Sequence, residues 1–363
     1  MRVWTRVSVL SAHAGLIAAC GADVSVTATI AEDPAAVFCT VSTDELFPAL
    51  IPDGIISLQD PPFVSTEHPD AAYVDDGERV IGFLVDGEPL AIPLNVMRFH
   101  EVVNLTRPAV SLAVTFCPLT GSSLIFDRSG VGGFELGVSG LLHRNNLVLF
   151  DRTERSSLFT QMRAGVPTCG PSARSGASLS VIPSVELRWD AWKHLHPTTM
   201  VASRNTGSDG IGNYDVNIHE EYERIDNPFM MFPQEIDPRR PPKERVLGIP
   251  LGGDGGLALP FEELRKRERW AVSVLSGATV VFWDDSAEAA IAFSTEVEGQ
   301  RLTFEATETG FLDAETGSEW RLDGLAVSGP LAGRVLEPVV GSFVSFWFAW
   351  ASFYPETVVW NGR

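Results

Sequence analysis

At 363 residues, 45% hydrophobic and 20% charged, the chain is long enough for two domains with cores of their own and too apolar to stay disordered. Its formal net charge of −20 repels nucleic acid and anionic membrane surfaces, and no basic patch interleaved with aromatics offsets it. A nucleic-acid partner is therefore not expected.

Residues 1–20, MRVWTRVSVLSAHAGLIAAC, run from Arg2 and Arg6 through an apolar stretch to small residues and Cys20. This is the layout of a secretory signal peptide, too short and too broken by polar residues for a membrane-spanning helix. IAAC at 17–20 has the form of a bacterial lipobox, where cleavage leaves a lipid-modified N-terminal cysteine. An ordinary cleaved signal with a chance cysteine is the plainer alternative. The expectation is an extracytoplasmic protein held to the membrane through lipid on Cys20, on the periplasmic or outer-membrane side in a Gram-negative cell. Residues 21–49 read as a tether and lead-in. Cys39, Cys117 and Cys169 then remain. In an oxidising compartment two of them pair; three pairings are open, and Cys39 with Cys169, leaving Cys117 free, is the working hypothesis.

Short runs rich in Val, Ile and Phe, bounded by Gly, Asp, Ser or Pro, predict strands. ERVIGF (78–83) and LAIPL (90–94) flank a Gly/Asp turn, and SLAVTF (111–116) and SSLIFDR (122–128) flank CPLTG (117–121). FELGVSG (134–140) follows. PSVELRWDAWKHLHP (183–197) carries Leu187, Trp189, Trp192 and Leu195 at helical spacing, which predicts a helix capped by Ser184 and stopped by Pro197. Residues 206–243, ending in NPFMMFPQEIDPRRPPK, read as an extended, Pro-rich connector.

The series then recurs about 160 residues later: ERVLGI (244–249), LALPF (257–261), GATVVF (277–282), AAIAFST (289–295) and LTFEATE (302–308). Trp347, Trp350, Tyr354 and Pro355 keep the spacing of Trp189, Trp192, His196 and Pro197. The expectation is a mostly β, α+β fold of two related β-rich domains, 50–205 and 244–363, produced by internal duplication. Each has a short Trp-bearing helix over a sheet.

The repeat supplies an internal control. Aligned on Phe116 and Phe282, Cys117 falls opposite Trp283 and CPLTG opposite WDDSA. The first half holds His100, Cys117 and His143; the second has neither histidine nor cysteine. A thiolate and two imidazoles suit copper or zinc, so His100, Cys117 and His143 are candidate metal ligands, with Glu101, Asn104 and Thr120 around them. Met162 and His219 are weaker further ligands. A second reading makes Cys117 the catalytic thiol of a redox protein, its pKa lowered by His100, although no helix follows the turn to stabilise the anion. A third makes Cys117 a small buried hydrophobe, His100 a core histidine, and the protein a non-catalytic surface binding or scaffold module. HEVVN (100–104) lacks the second histidine of a zinc-protease helix, GGDGGLALP (252–260) reads as a hairpin, and GVSG (137–140) lacks nucleophile-elbow spacing.

FHEVVN, TFCPLTGSSLIFD, GVSGLLHRNNLVLFDR, the Trp-x-x-Trp-x-x-x-His-Pro segment and PPKERVLGI together resemble a prokaryotic family, domain of unknown function 3179. The resemblance covers nearly the whole chain from about residue 50. It implies a secreted or lipid-anchored protein and no particular activity. The family's usual Cys-Pro-Leu-Cys-Gly has Thr120 here in place of its second cysteine. His143 stands where tyrosine is frequent, and YDVNIHEEYE (214–223) replaces a segment like Tyr-Gly-Arg-Asp-Pro-Tyr.

Overall fold

A computed structural model describes residues 37–153, 155–208 and 212–362. The signal segment, Cys20 and most of the lead-in lie outside the described residues.

The fold is mostly β, with short helices, as the short Val-, Ile- and Phe-rich runs predict. Arg79–Val85 and Glu88–Pro93 form an antiparallel hairpin, joined on one side by Val185–Arg188 and on the other, in parallel, by Met200–Ala202. Arg245–Gly252 and Gly255–Pro260 repeat this hairpin, with Phe343–Phe346 on one side and Val358–Val359 parallel on the other. A three-strand meander follows each hairpin: Val102–Thr106, Ser111–Cys117 and Ser122–Asp127 in the first half, and Arg269–Val274, Thr279–Asp284 and Ala289–Ser294 in the second. The halves then diverge. The first adds a five-stranded sheet built on Leu136–His143 and Asn146–Asp151, and the second a small sheet built on Phe304–Ala306 and Phe311–Asp313.

The Trp-bearing helices are shorter than their spacing predicts. Val185–Arg188 is a strand paired with Arg79–Gly82, and the helix is only Trp189–Leu195, preceded by Arg188 rather than capped by Ser184. The second copy behaves alike: Phe343–Phe346 is a strand and Trp347–Phe353 the helix. Sheet pairing claims the first part of each motif, and the tryptophans lie on the turn of helix that folds back over the sheet. Trp192 Nε1 donates to Thr199 Oγ1 at 2.8 Å, and Trp350 Nε1 to Thr357 Oγ1 at 2.9 Å. Both rings lie over glycines, Gly82 and Gly248, whose missing side chains make the space.

Packing does not divide at the connector. One apolar cluster joins Val80, Ile92 and Trp192 to Val280 and Phe282; another joins Val102, Cys117 and Leu124 to Val246, Trp347 and Trp350. Apolar packing therefore runs across the boundaries at 205 and 244, and the two segments share their cores. The connector is also less free than its prolines suggest. Tyr214 and Lys243 are buried, and Glu220–Glu223 is a short helix. Cys39 and Cys169 form a disulfide across 130 residues, leaving Cys117 free and buried among the described cysteines.

Candidate functional site

Cys117 ends the strand Ser111–Cys117, opposite Ser122, and Gly121 turns the chain between them with a φ of 58°. Only 1% of Cys117 is exposed. Its Sγ lies 3.8 Å from the carbonyl oxygen of Asn145, at the tip of the hairpin between Leu136–His143 and Asn146–Asp151. Arg144 and Asn145 both have positive φ there, which suits the two-residue turn of a tight hairpin. Burial, reinforced by the neighbouring Glu101 carboxyl, pushes the Cys117 thiol up to about 11. An activated thiol needs the opposite shift.

Each candidate histidine is engaged elsewhere. His100 Nδ1 lies 2.7 Å from the Ile56 carbonyl and Nε2 2.6 Å from the Tyr214 hydroxyl. His143 Nδ1 lies 3.2 Å from Thr160 Oγ1 and Nε2 3.4 Å from a Glu45 carboxyl oxygen, with the ring edge-on to Phe353. Burial pulls His100 below its ordinary pKa and His143 down to about 4. Among the described residues no group of three or more His, Cys, Asp or Glu side chains is placed to hold a metal ion. The structure thus does not gather His100, Cys117 and His143 into one ligand shell. Met162 is packed in the core, and His219 precedes the helix Glu220–Glu223.

The surrounding residues take part in the hydrogen bonding and turns of the scaffold. Asn104 donates to the Leu136 carbonyl at 2.8 Å and accepts from the Leu136 amide at 3.0 Å, fastening two strands together. Thr120 belongs to a wholly buried polar knot under the turn. Its Oγ1 is 2.8 Å from Ser122 Oγ and accepts from Asn146 Nδ2 at 3.0 Å; Ser122 Oγ donates to Gln161 Oε1 at 2.7 Å. Such a network rigidifies when every member is satisfied. Glu101 closes the helix Leu94–His100 in the left-handed conformation, its φ 57°. Burial raises its carboxyl to about 8.

A second cluster escapes the Cys/His reading. Arg79 Nη1 and Arg245 Nη2 donate to the same oxygen, Oε1 of the buried Glu186, at 2.6 and 2.8 Å. These arginines are the second residues of the two similar segments, ERVIGF and ERVLGI. Their recurrence is visible in the sequence, but as a strand marker; nothing there places Glu186 between them. Arg79 and Arg98 share Glu223 at 3.3 and 3.0 Å, and Arg245 reaches Glu288 at 3.4 Å. Lys243 is 2% exposed, donates to the Tyr222 carbonyl at 2.7 Å and holds its ammonium over the Tyr222 ring. A cavity of about 160 Å³ opens on Arg79, Glu223, Lys243, Arg245, Phe261 and Phe346. It lies on the seam where the two hairpin sheets meet the connector.

The chain is mostly β, with a buried Cys-Pro turn at the end of the strand Ser111–Cys117. The model of the family described as protein of unknown function DUF3179 matches residues 52–357, and the chain belongs to that family. Comparison with curated proteins and with solved structures returns no match.

Proposed function

We propose that the protein is a non-catalytic binding or scaffold module of the cell envelope, exported by its N-terminal signal and anchored through lipid on Cys20. The observation that carries this reading is the state of Cys117. The thiol is sealed from solvent, raised in pKa by burial, and has neither histidine within its hydrogen bonds. A nucleophile needs its thiolate within reach of a substrate, and a metal-bound thiolate needs further ligands beside it, which neither His100 nor His143 supplies. The same polar knot that satisfies Thr120 gives the turn a packing role. The Cys39–Cys169 disulfide favours an oxidising compartment, in keeping with export. We read the two halves as descendants of one duplicated unit, on the paired hairpins, meanders and Trp–Thr–Gly contacts.

The test is alkylation of the folded protein between neutral and alkaline pH. Cys117 is expected to react only on the timescale of unfolding. Rapid alkylation near neutral pH, or stoichiometric copper or zinc lost in His100→Ala, sinks the reading. Radiolabelled palmitate incorporation, abolished by Cys20→Ala, tests the anchor.

A further inference from the structure

We infer that the seam cavity beside Arg79, Lys243 and Arg245 is a binding site for a small oxyanion, a molecule bearing a carboxylate or phosphate group. The inference names a ligand class for the binding module proposed above. It stands on different residues from the Cys117 argument, so the alkylation test and the test below fail independently.

Charge supplies the first observation. The chain carries a net −20, yet here the sign inverts. Arg79, Arg98 and Arg245 pair with Glu186, Glu223 and Glu288, and Lys243 adds a fourth cation, leaving one more cation than carboxylates. At the rim Arg265 and Glu262 pair with each other at 2.7 Å and cancel. Glu223 also borders the cavity, but Arg79, Arg98 and Asn217 already occupy its oxygens.

Unmet donors supply the second. Lysine is almost never buried without a charge partner. Among the described residues no carboxylate lies within ion-pair distance of the Lys243 ammonium, whose hydrogen bond goes to a backbone carbonyl. Arg245 Nε is buried with no hydrogen-bond partner at all. A guanidinium and an ammonium lining one cavity are the donor set that carboxylate and phosphate oxygens accept from.

Shape supplies the third. A water occupies about 10–15 Å³ of such volume, so about 160 Å³ admits a phosphate or a short organic acid but not a peptide. Phe261 and Phe346 wall the cavity, and low-polarity walls strengthen each charge–charge attraction inside. Burial pulls Lys243 down to about 8, and burial together with Arg79 pulls Arg245 down to about 10; a bound anion opposes both shifts.

The experiment is calorimetric titration of the exported chain with inorganic phosphate and, separately, with sodium succinate, at fixed ionic strength in chloride. One of the two is expected to bind with a stoichiometry near one, and Arg245→Gln to weaken it at least about tenfold. Should Arg245→Gln fail to fold, Arg265→Gln at the exposed rim decides, with an expected loss of about threefold. No heat from either anion at about 10 mM overturns the inference, as does unchanged affinity in the deciding variant.

Discussion

The indole of Trp350 lies so close over Gly248 that a β-carbon on that glycine would stand 2.1 Å from the ring. Trp192 stands in the same relation to Gly82, at 2.5 Å. In each half the tryptophan is fixed by its bond to a threonine seven residues on, so the ring has nowhere to retreat. Gly248→Ala and Gly82→Ala are therefore expected to destabilise by about 3 kcal/mol each, the upper end of ordinary overpacking. Urea unfolding of the two variants checks this, and a loss below about 0.5 kcal/mol in both would contradict it.

Glu186 is buried and compensates two guanidinium groups that are largely but not fully buried. Removing it leaves Arg79 with Glu223 and Arg245 with only the half-exposed Glu288. Glu186→Ala should cost about 3–5 kcal/mol, the usual consequence of leaving a buried charge unmatched. Arg79→Ala should cost less, because Glu186 keeps Arg245. Chemical denaturation of both variants in one buffer ranks them; the reverse order would refute the shared-carboxylate account.

The disulfide closes a loop spanning 130 residues. Long loops lose the most unfolded-state freedom when crosslinked. Cys39→Ser/Cys169→Ser should lose about 2–5 kcal/mol, and dithiothreitol should lower the wild-type midpoint to that of the variant. A wild-type midpoint insensitive to reductant would show the bond absent in solution.

Glu101 makes stability depend on pH in an identifiable direction. Its carboxyl ordinarily loses its proton near 4.5 but holds it in the fold to about 8. Between those values the native state binds the extra proton. The contribution is whole below about pH 4.5 and fades as pH rises through about 8. Glu101→Gln stays neutral throughout. The variant should gain on wild type steadily across that window, by an amount on the order of a few kcal/mol. Parallel pH–stability curves for the two proteins would contradict the assignment.

Much of the scaffold is legible from residue patterns. The hairpin 245–260, the CPLTG turn and the paired meanders follow from apolar runs punctuated by Gly, Asp and Pro, signals that act locally. The Trp segments mislead because Leu187, Trp189, Trp192 and Leu195 satisfy a helical period, while the pairing of Val185–Arg188 with Arg79–Gly82 is decided some hundred residues away. The site is illegible for the same kind of reason. Whether His100 meets a thiol or a tyrosine depends on Tyr214, and where His143 points depends on Glu45 and Thr160. Glu186, which unites the two halves' arginines, has Val344 at the matching place of the second copy, so nothing in the repeat singles it out.

The position of the disulfide also has a mechanical meaning. Cys39 lies ahead of the strand Leu46–Pro48, whose pairing with Leu141–His143 a pull on the N-terminal side would otherwise peel away once the bonds of Phe38 and Thr40 to Gly170 and Thr168 had broken. The crosslink diverts such a load into Cys169, at the far edge of the same five-stranded sheet, before it reaches that strand. A protein tugged at its leading end would strain a covalent bond where a noncovalent edge would unzip.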